Sequence, residues 1–172
     1  MNHARTITLL ALCVALSACD VPDTSMMNGA ITLKDNVLTL HAKDAPDALI
    51  ASDGTLQIDG KAVSVTPAQR GLLMLYFQNV MDVHQTGTEM GKVGASIGAN
   101  ALKDTVAGKS KTEKDDHAKA GSGQLKTLGL KICQDQANIA NVEDQLAAQL
   151  PAFKPYSHIA NAHAGDKCTP DD

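Results

Sequence analysis

Three pairs of turn-forming residues divide residues 30–65 into short segments and so restrict what this part of the chain can fold into. A two-residue type I′ turn needs positive φ at both central positions, which Asp, Asn and Gly adopt most readily. Between the pairs the segments are β-prone, and Leu56 and Ile58 alternate with polar neighbours. Residues 30–65 are therefore predicted to form an antiparallel β meander with one buried face. The three pairs are Asp35-Asn36, Asp53-Gly54 and Asp59-Gly60.

A helix is predicted to follow the meander over residues 66–108. Thr66 has the right side chain for an N-cap, Pro67 suits the first helical position, and Gln69 completes a capping box. After these residues, apolar side chains recur at helical spacing and predict a stripe that faces the core. They are Leu72, Leu73, Tyr76, Phe77, Val80 and Val83.

The second half of this helix carries a glycine seam, which we define as Gly87, Gly91, Gly94 and Gly98. The four positions fall within about 60° on a helical wheel. Each interior glycine costs a helix about 1 kcal/mol relative to alanine, so something is expected to pack closely against the seam. The first interpretation is another helix of the same chain. A second copy of the chain, a lipid or membrane protein, and a loop in place of the helix are the alternatives.

The rest of the chain is predicted to be a linker, a second helix and a tail. Residues 109–124 are charged and contain Gly and Ser, which is typical of a flexible linker. Residues 125–151 carry apolar side chains at helical spacing, with a possible interruption at Gly129. A proline at position 151 then ends the helix before a tail over 152–172. Together the elements predict an α+β fold.

The N-terminus has the pattern of a secretory signal over residues 1–18. Arg5 precedes an apolar run over residues 6–16, and residues 16–19 read Leu-Ser-Ala-Cys, which resembles the lipobox of bacterial lipoproteins. The resemblance implies that Cys19 is lipid-anchored and becomes the first residue of the mature chain. An ordinary signal with an incidental cysteine is the alternative.

The residues after Cys19 are expected to be a tether, over 19–29. Asp20 directly follows the lipobox and favours retention at the inner membrane, although the outer membrane remains open. No apolar run approaches the roughly 20 residues that a membrane-spanning helix needs, so a transmembrane helix is not predicted. The expected location is the bacterial cell envelope, with the protein held by its lipid and facing the periplasm.

Cys133 and Cys168 are the two cysteines that remain after the signal and Cys19 are set aside. In an oxidising compartment two leftover thiols most simply form a disulfide. The alternative is a zinc site made of these cysteines with His158 and His163, but their spacing matches no recognised zinc pattern. Neither a metal nor a cofactor is expected.

Composition and charge narrow the classes of function. A formal net charge of −4 disfavours a nucleic-acid partner, which needs clustered Lys and Arg. The serines and histidines show no nucleophile elbow, so no catalytic residue is assigned and an enzyme is not expected. The leading prediction is a non-catalytic binding or envelope-associated module. A membrane-assembly factor that self-associates through the seam is the alternative, and an unrecognised enzyme comes third.

Three segments resemble the YggN-like family of proteobacterial envelope proteins, which carries a domain of unknown function. They are residues 53–60 (DGTLQIDG), 65–70 (VTPAQR) and 150–156 (LPAFKPY). The resemblance covers roughly residues 30–160. It implies an extracytoplasmic, non-enzymatic protein and brings no catalytic residues with it.

Overall fold

The computed structural model describes residues 24–160 and residue 168. Six short strands precede two long helices, and a 3₁₀ helix follows them. The predicted signal, Cys19 and Asp20 therefore lie outside the described residues. The elements are β1 (Thr24–Met26), β2 (Ile31–Lys34), β3 (Val37–Leu40), β4 (Ala48–Ala51), β5 (Leu56–Ile58), β6 (Lys61–Ala62), α1 (Pro67–Val106), α2 (Lys111–Gln149) and the 3₁₀ helix Pro151–Tyr156.

The strands form one antiparallel sheet in which neighbours in sequence are neighbours in space, from β1 to β6. The register places Leu38 opposite Leu33 on one side and opposite Ile50 on the other. Because side chains alternate across a sheet, this register collects the apolar ones on one face. The predicted antiparallel β meander is thereby confirmed, and together with the two helices it gives the predicted α+β fold. The buried residues of this face are Met26, Ile31, Leu33, Leu38, Leu40, Ala48, Ile50 and Leu56.

The turns between the strands follow two of the three predictions in detail. Asp35-Asn36 and Asp59-Gly60 both have positive φ at the two central residues. At Asp53-Gly54 only Gly54 has positive φ, at 76°. The Ala51 N–H donates to the Thr55 carbonyl, which closes a three-residue loop instead of a two-residue turn.

Helix α1 begins as the sequence predicts. The Thr66 hydroxyl accepts from the Gln69 N–H, and the Gln69 side-chain oxygen accepts from the Thr66 N–H at 2.8 Å. The Gln69 amide nitrogen also donates to the Gln149 carbonyl at 2.7 Å. One side chain thus caps the start of α1 and satisfies a carbonyl at the end of α2.

The two helices form an antiparallel hairpin, in which Tyr76 contacts Glu143 and Ile97 contacts Gly121. Half of the hairpin joins the sheet and the 3₁₀ helix in a single core. Beyond His84 the buried residues of α1 are only Thr86 and Asp104. We call residues 85–106 of α1 and 111–132 of α2 the arm. The core residues of α1, α2 and the 3₁₀ helix are Leu73, Tyr76, Phe77, Val80, Val83, Ile139, Ala140, Val142, Leu146, Phe153 and Tyr156, and Leu150 joins them from between α2 and the 3₁₀ helix.

Three predicted boundaries were wrong. The tether over 19–29 was too long, because Thr24–Met26 pairs with β2. The linker over 109–124 is mostly helix, since α2 starts at Lys111 and runs without interruption through Gly129. Lys, Glu and Ala dominate the first part of this segment, and they are strong helix formers. The second helix, predicted to reach residue 151, ends at Gln149, and the 3₁₀ helix Pro151–Tyr156 contains the first residues of the predicted tail.

Candidate functional site

The glycine seam is open to solvent along its whole length. A Cβ atom built at Gly87, Gly91, Gly94 or Gly98 would meet nothing within 4 Å. The interpretation that another helix of the same chain packs on the seam is therefore wrong. The apolar residues Val93 and Ile97 face α2 instead, and the seam lies on a neighbouring side of α1.

The close approach between the helices occurs at a different glycine, Gly121 of α2. A Cβ atom there would overlap the side chain of Ile97, and Gly121 is buried. The sequence placed Gly121 in a flexible linker because Gly and Ser surround it. In the fold, its missing side chain makes room for Ile97 at the helix–helix contact.

These two glycines predict opposite effects for the same substitution. Gly94→Leu should raise the free energy of unfolding by about 0.8 kcal/mol, because leucine has better helix propensity and the site is open. Gly121→Leu should lower it by roughly 1–3 kcal/mol, because leucine overpacks the contact with Ile97. Urea unfolding of residues 20–172 measures both changes. A destabilised Gly94→Leu variant would show that the seam is covered.

The far end of the arm exposes two large apolar side chains one turn apart. Leu102 is 73% exposed and Val106 is 91% exposed. Lys109, in the connection between the helices, forms an ion pair with Asp104 of α1 at 2.8 Å. Residues 102–111, which we call the tip, contain three lysines and one acidic residue. The tip is thus both apolar and positively charged, on a protein whose net charge is negative.

Strand β1 meets α1 where the arm begins. The Thr24 hydroxyl is hydrogen-bonded to Nδ1 of His84. Gly91, Gly98 and Leu102 follow His84 by about two, four and five helical turns, which places all four on one side of α1. The described chain therefore starts beside the same side of the arm that carries the seam and Leu102.

The opposite side of the arm carries the polar residues and an interhelical groove. The groove has a volume of about 460 Å³. Its lining mixes apolar and charged side chains, and Ser96 and Asn100 line its continuation along the arm. The groove residues are Glu89, Lys92, Val93, Gln124, Thr127 and Leu128.

A buried carboxylate, Glu143, joins three parts of the core. The Tyr76 hydroxyl donates to Glu143 Oε1 at 2.9 Å, and the Ala160 N–H donates to Oε2 at 3.0 Å. Glu143 is fully buried. Burial raises the pKa of its carboxyl to about 7, although these hydrogen bonds act to lower it. Burial and the neighbouring Glu143 charge also raise the pKa of Tyr76 well above its usual value.

The C-terminal segment is held at several further points. Phe153 packs edge-on against Tyr76 with ring centroids 6.1 Å apart, and the Tyr156 hydroxyl donates to the Pro46 carbonyl at 2.6 Å. Cys133 and Cys168 form the predicted disulfide, with Cα atoms 5.6 Å apart. The zinc alternative is not supported, because the bond uses both sulfurs and no cluster of metal-ligating side chains occurs among the described residues. His163 lies outside them.

Two patterns associated with hydrolases occur in unsuitable settings. Residues 94–98 read Gly-Ala-Ser-Ile-Gly and match the nucleophile-elbow pattern, so the expectation that the sequence lacks this pattern was wrong. These residues nevertheless lie within continuous α1. An elbow requires a strand–turn–helix instead. His41 contacts Asp47 through Nδ1 at 2.8 Å and Thr32 through Nε2 at 3.2 Å. This is the contact order of a triad, and the side chains of His41 and Asp47 are 41% and 55% exposed to solvent.

Comparisons with protein-family models, with curated proteins and with solved structures found no match for this chain. Across the described residues, neither α1 nor α2 contains a stretch apolar enough to cross a membrane. The contacts of the chain itself are therefore the basis for its proposed function.

Proposed function

We propose that this protein is a lipid-anchored envelope protein that acts by binding, through its helical arm, and carries out no chemistry of its own. The observation that carries the proposal is the position of the first strand. β1 begins at Thr24, five residues after Cys19, and lies beside the base of the arm. A lipid on Cys19 would therefore hold the arm close to a membrane surface.

The anchor also agrees with the physical requirements of membrane attachment. A single acyl chain binds a bilayer only marginally, whereas the two or more chains of an acylated cysteine hold it stably.

The net charge of −4 makes a nucleic-acid partner unfavourable. The expected partners are the membrane and a protein or second copy that binds the arm. Asp20 favours the inner membrane.

Self-association through the seam is the second candidate function. It is favoured by the four glycines that remain open, since small residues at this spacing allow close helix approach. A dimer of residues 20–172 that Gly94→Leu disrupts would support it. A monomeric mass at all concentrations would count against it.

Anchoring should depend on Cys19 alone. Cys19→Ser removes the thiol that accepts the lipid, so incorporation of an alkyne fatty acid should be lost, and the chain should stay unprocessed. Cys13→Ser provides the matched control, because Cys13 lies within the apolar run of the signal and should be dispensable. Labelling that persists in the Cys19→Ser chain, or that is lost equally in both variants, would contradict the proposal.

A further inference from the structure

The tip of the arm has the chemistry of a membrane-contact site. Leu102 and Val106 are the most exposed large apolar side chains of the described residues. Lys103 and Lys111 also lie close to them in sequence, while the charge of Lys109 is paired with Asp104. Exposed apolar side chains enter the headgroup region of a bilayer, while lysines keep their charge at the surface and attract anionic lipids.

The short tether limits how the arm can be oriented. The five residues from Cys19 to Thr24 span at most about 17 Å when fully extended. From His84, which contacts Thr24, helix α1 continues to Val106 over a length of about 33 Å. An arm pointing straight at the membrane would need a tether of that greater length. The arm therefore either lies along the membrane or points away from it.

The side of α1 beside the tether is also the side that carries Leu102. Leu102 follows His84 by about five complete helical turns, so the two side chains point in the same direction. An arm lying along the membrane with its tethered side inward thus directs Leu102 at the bilayer, about 27 Å from the contact with Thr24. The groove and Ser96 then face away from the membrane.

We infer that the tip is a second membrane-contact site, which binds the surface of a bilayer containing anionic phospholipid. The inference rests on the proposed lipid anchor, because the tether keeps the tip at high effective concentration near the lipid. A contact too weak to recruit the free protein is then sufficient to hold the arm along the membrane. The charge on the tip predicts a preference for anionic over zwitterionic lipid and a weakening by salt.

Fluorescence quenching of the full lipidated protein in vesicles tests this inference. A bimane label on Thr105→Cys reports on the tip, and the same label on Ser96→Cys reports on the opposite side of α1. The vesicles contain phosphatidylcholine and phosphatidylglycerol, with or without bromine on the acyl chains. Brominated lipid should quench the Thr105→Cys label roughly two-fold more than the Ser96→Cys label. Phosphatidylcholine alone should give a smaller difference.

Variants of the tip provide the second half of the test. Leu102→Asp combined with Val106→Asp should abolish the extra quenching and leave flotation with the vesicles unchanged. Ser96→Asp adds a charge on the opposite side and should leave the quenching of the tip label unchanged.

The outcomes separate the tip from the anchor. A protein that floats with the vesicles, but whose two labels are quenched equally, would overturn the tip contact and leave the anchor standing. A protein that does not float would overturn both proposals. Quenching at the tip that disappears as the protein is diluted with excess lipid would identify a second copy as the occupant, and would also overturn the inference.

Discussion

Replacing both Cys133 and Cys168 by serine should lower the free energy of unfolding by about 4 kcal/mol. The bond joins residues 35 positions apart, and closing a loop of that length removes much of the entropy of the unfolded chain. It also ties the end of the chain to α2. Most single domains are stable by only about 5–15 kcal/mol, so this loss is a large fraction of the total.

Urea unfolding of the oxidised mature protein measures the effect of the disulfide. Wild-type protein treated with dithiothreitol should unfold at the same urea concentration as the double serine variant, and the reductant should not change the variant further. A wild-type protein with two free thiols in its unreduced, unfolded form would contradict the bond. A midpoint that reduction leaves unchanged would show that the bond does not stabilise the fold.

Stability should fall as the pH rises from about 5 to about 8, because of Glu143. Its carboxyl has a pKa of about 7 in the folded protein and an ordinary value of 4.5 when exposed. Between these values the folded state holds a proton that the unfolded state has lost, so raising the pH favours unfolding. A shift of this size corresponds to about 3 kcal/mol over the whole interval.

The matched variant for this prediction is Glu143→Gln, which cannot ionise but keeps a side-chain oxygen to accept from Tyr76. Urea unfolding at a series of pH values should show a steep fall for wild type and a much flatter profile for the variant. Glu89→Gln, at an exposed position on α1, should retain the wild-type profile. Equal slopes for wild type and Glu143→Gln would contradict the raised pKa.

The sheet and the first helix could be predicted because their signals are local. A turn such as Asp59-Gly60 depends on backbone conformations that few residue types adopt, and the cap of α1 depends on Thr66 and Gln69 alone. The disulfide could be predicted by elimination. The turn and cap residues act on near neighbours in sequence. The two cysteines had no other thiol to pair with once the signal and Cys19 were set aside.

The parts that could not be predicted depend on which surfaces meet. The spacing of the glycine seam shows that its residues share one side of a helix, but spacing alone does not say what covers that side. Nothing in the sequence around Gly121 indicates that it lies in a helix contact. Its role is to make room for Ile97, which belongs to the other helix and is far from it in sequence. Strand β1 was not predicted, because it has only three residues and is recognisable as a strand only through its pairing with β2.

Glu143 was also missed as a candidate, although one signal was present. It lies beside Val142 and between Ile139 and Leu146 in the apolar stripe of α2, where a single acidic residue indicates a buried partner. Its partners Tyr76 and Ala160 come from distant parts of the chain. Their identity could only emerge once the helices and the C-terminal segment were placed together.

The mass of the N-terminal peptide of the membrane-extracted protein tests the central claim of a lipid anchor most directly. We predict that Cys19 is the first residue and that it carries a diacylglycerol thioether. A peptide that runs unbroken through residues 16–20 with an unmodified Cys19 would contradict the anchor. It would also remove the basis for placing the arm against a membrane.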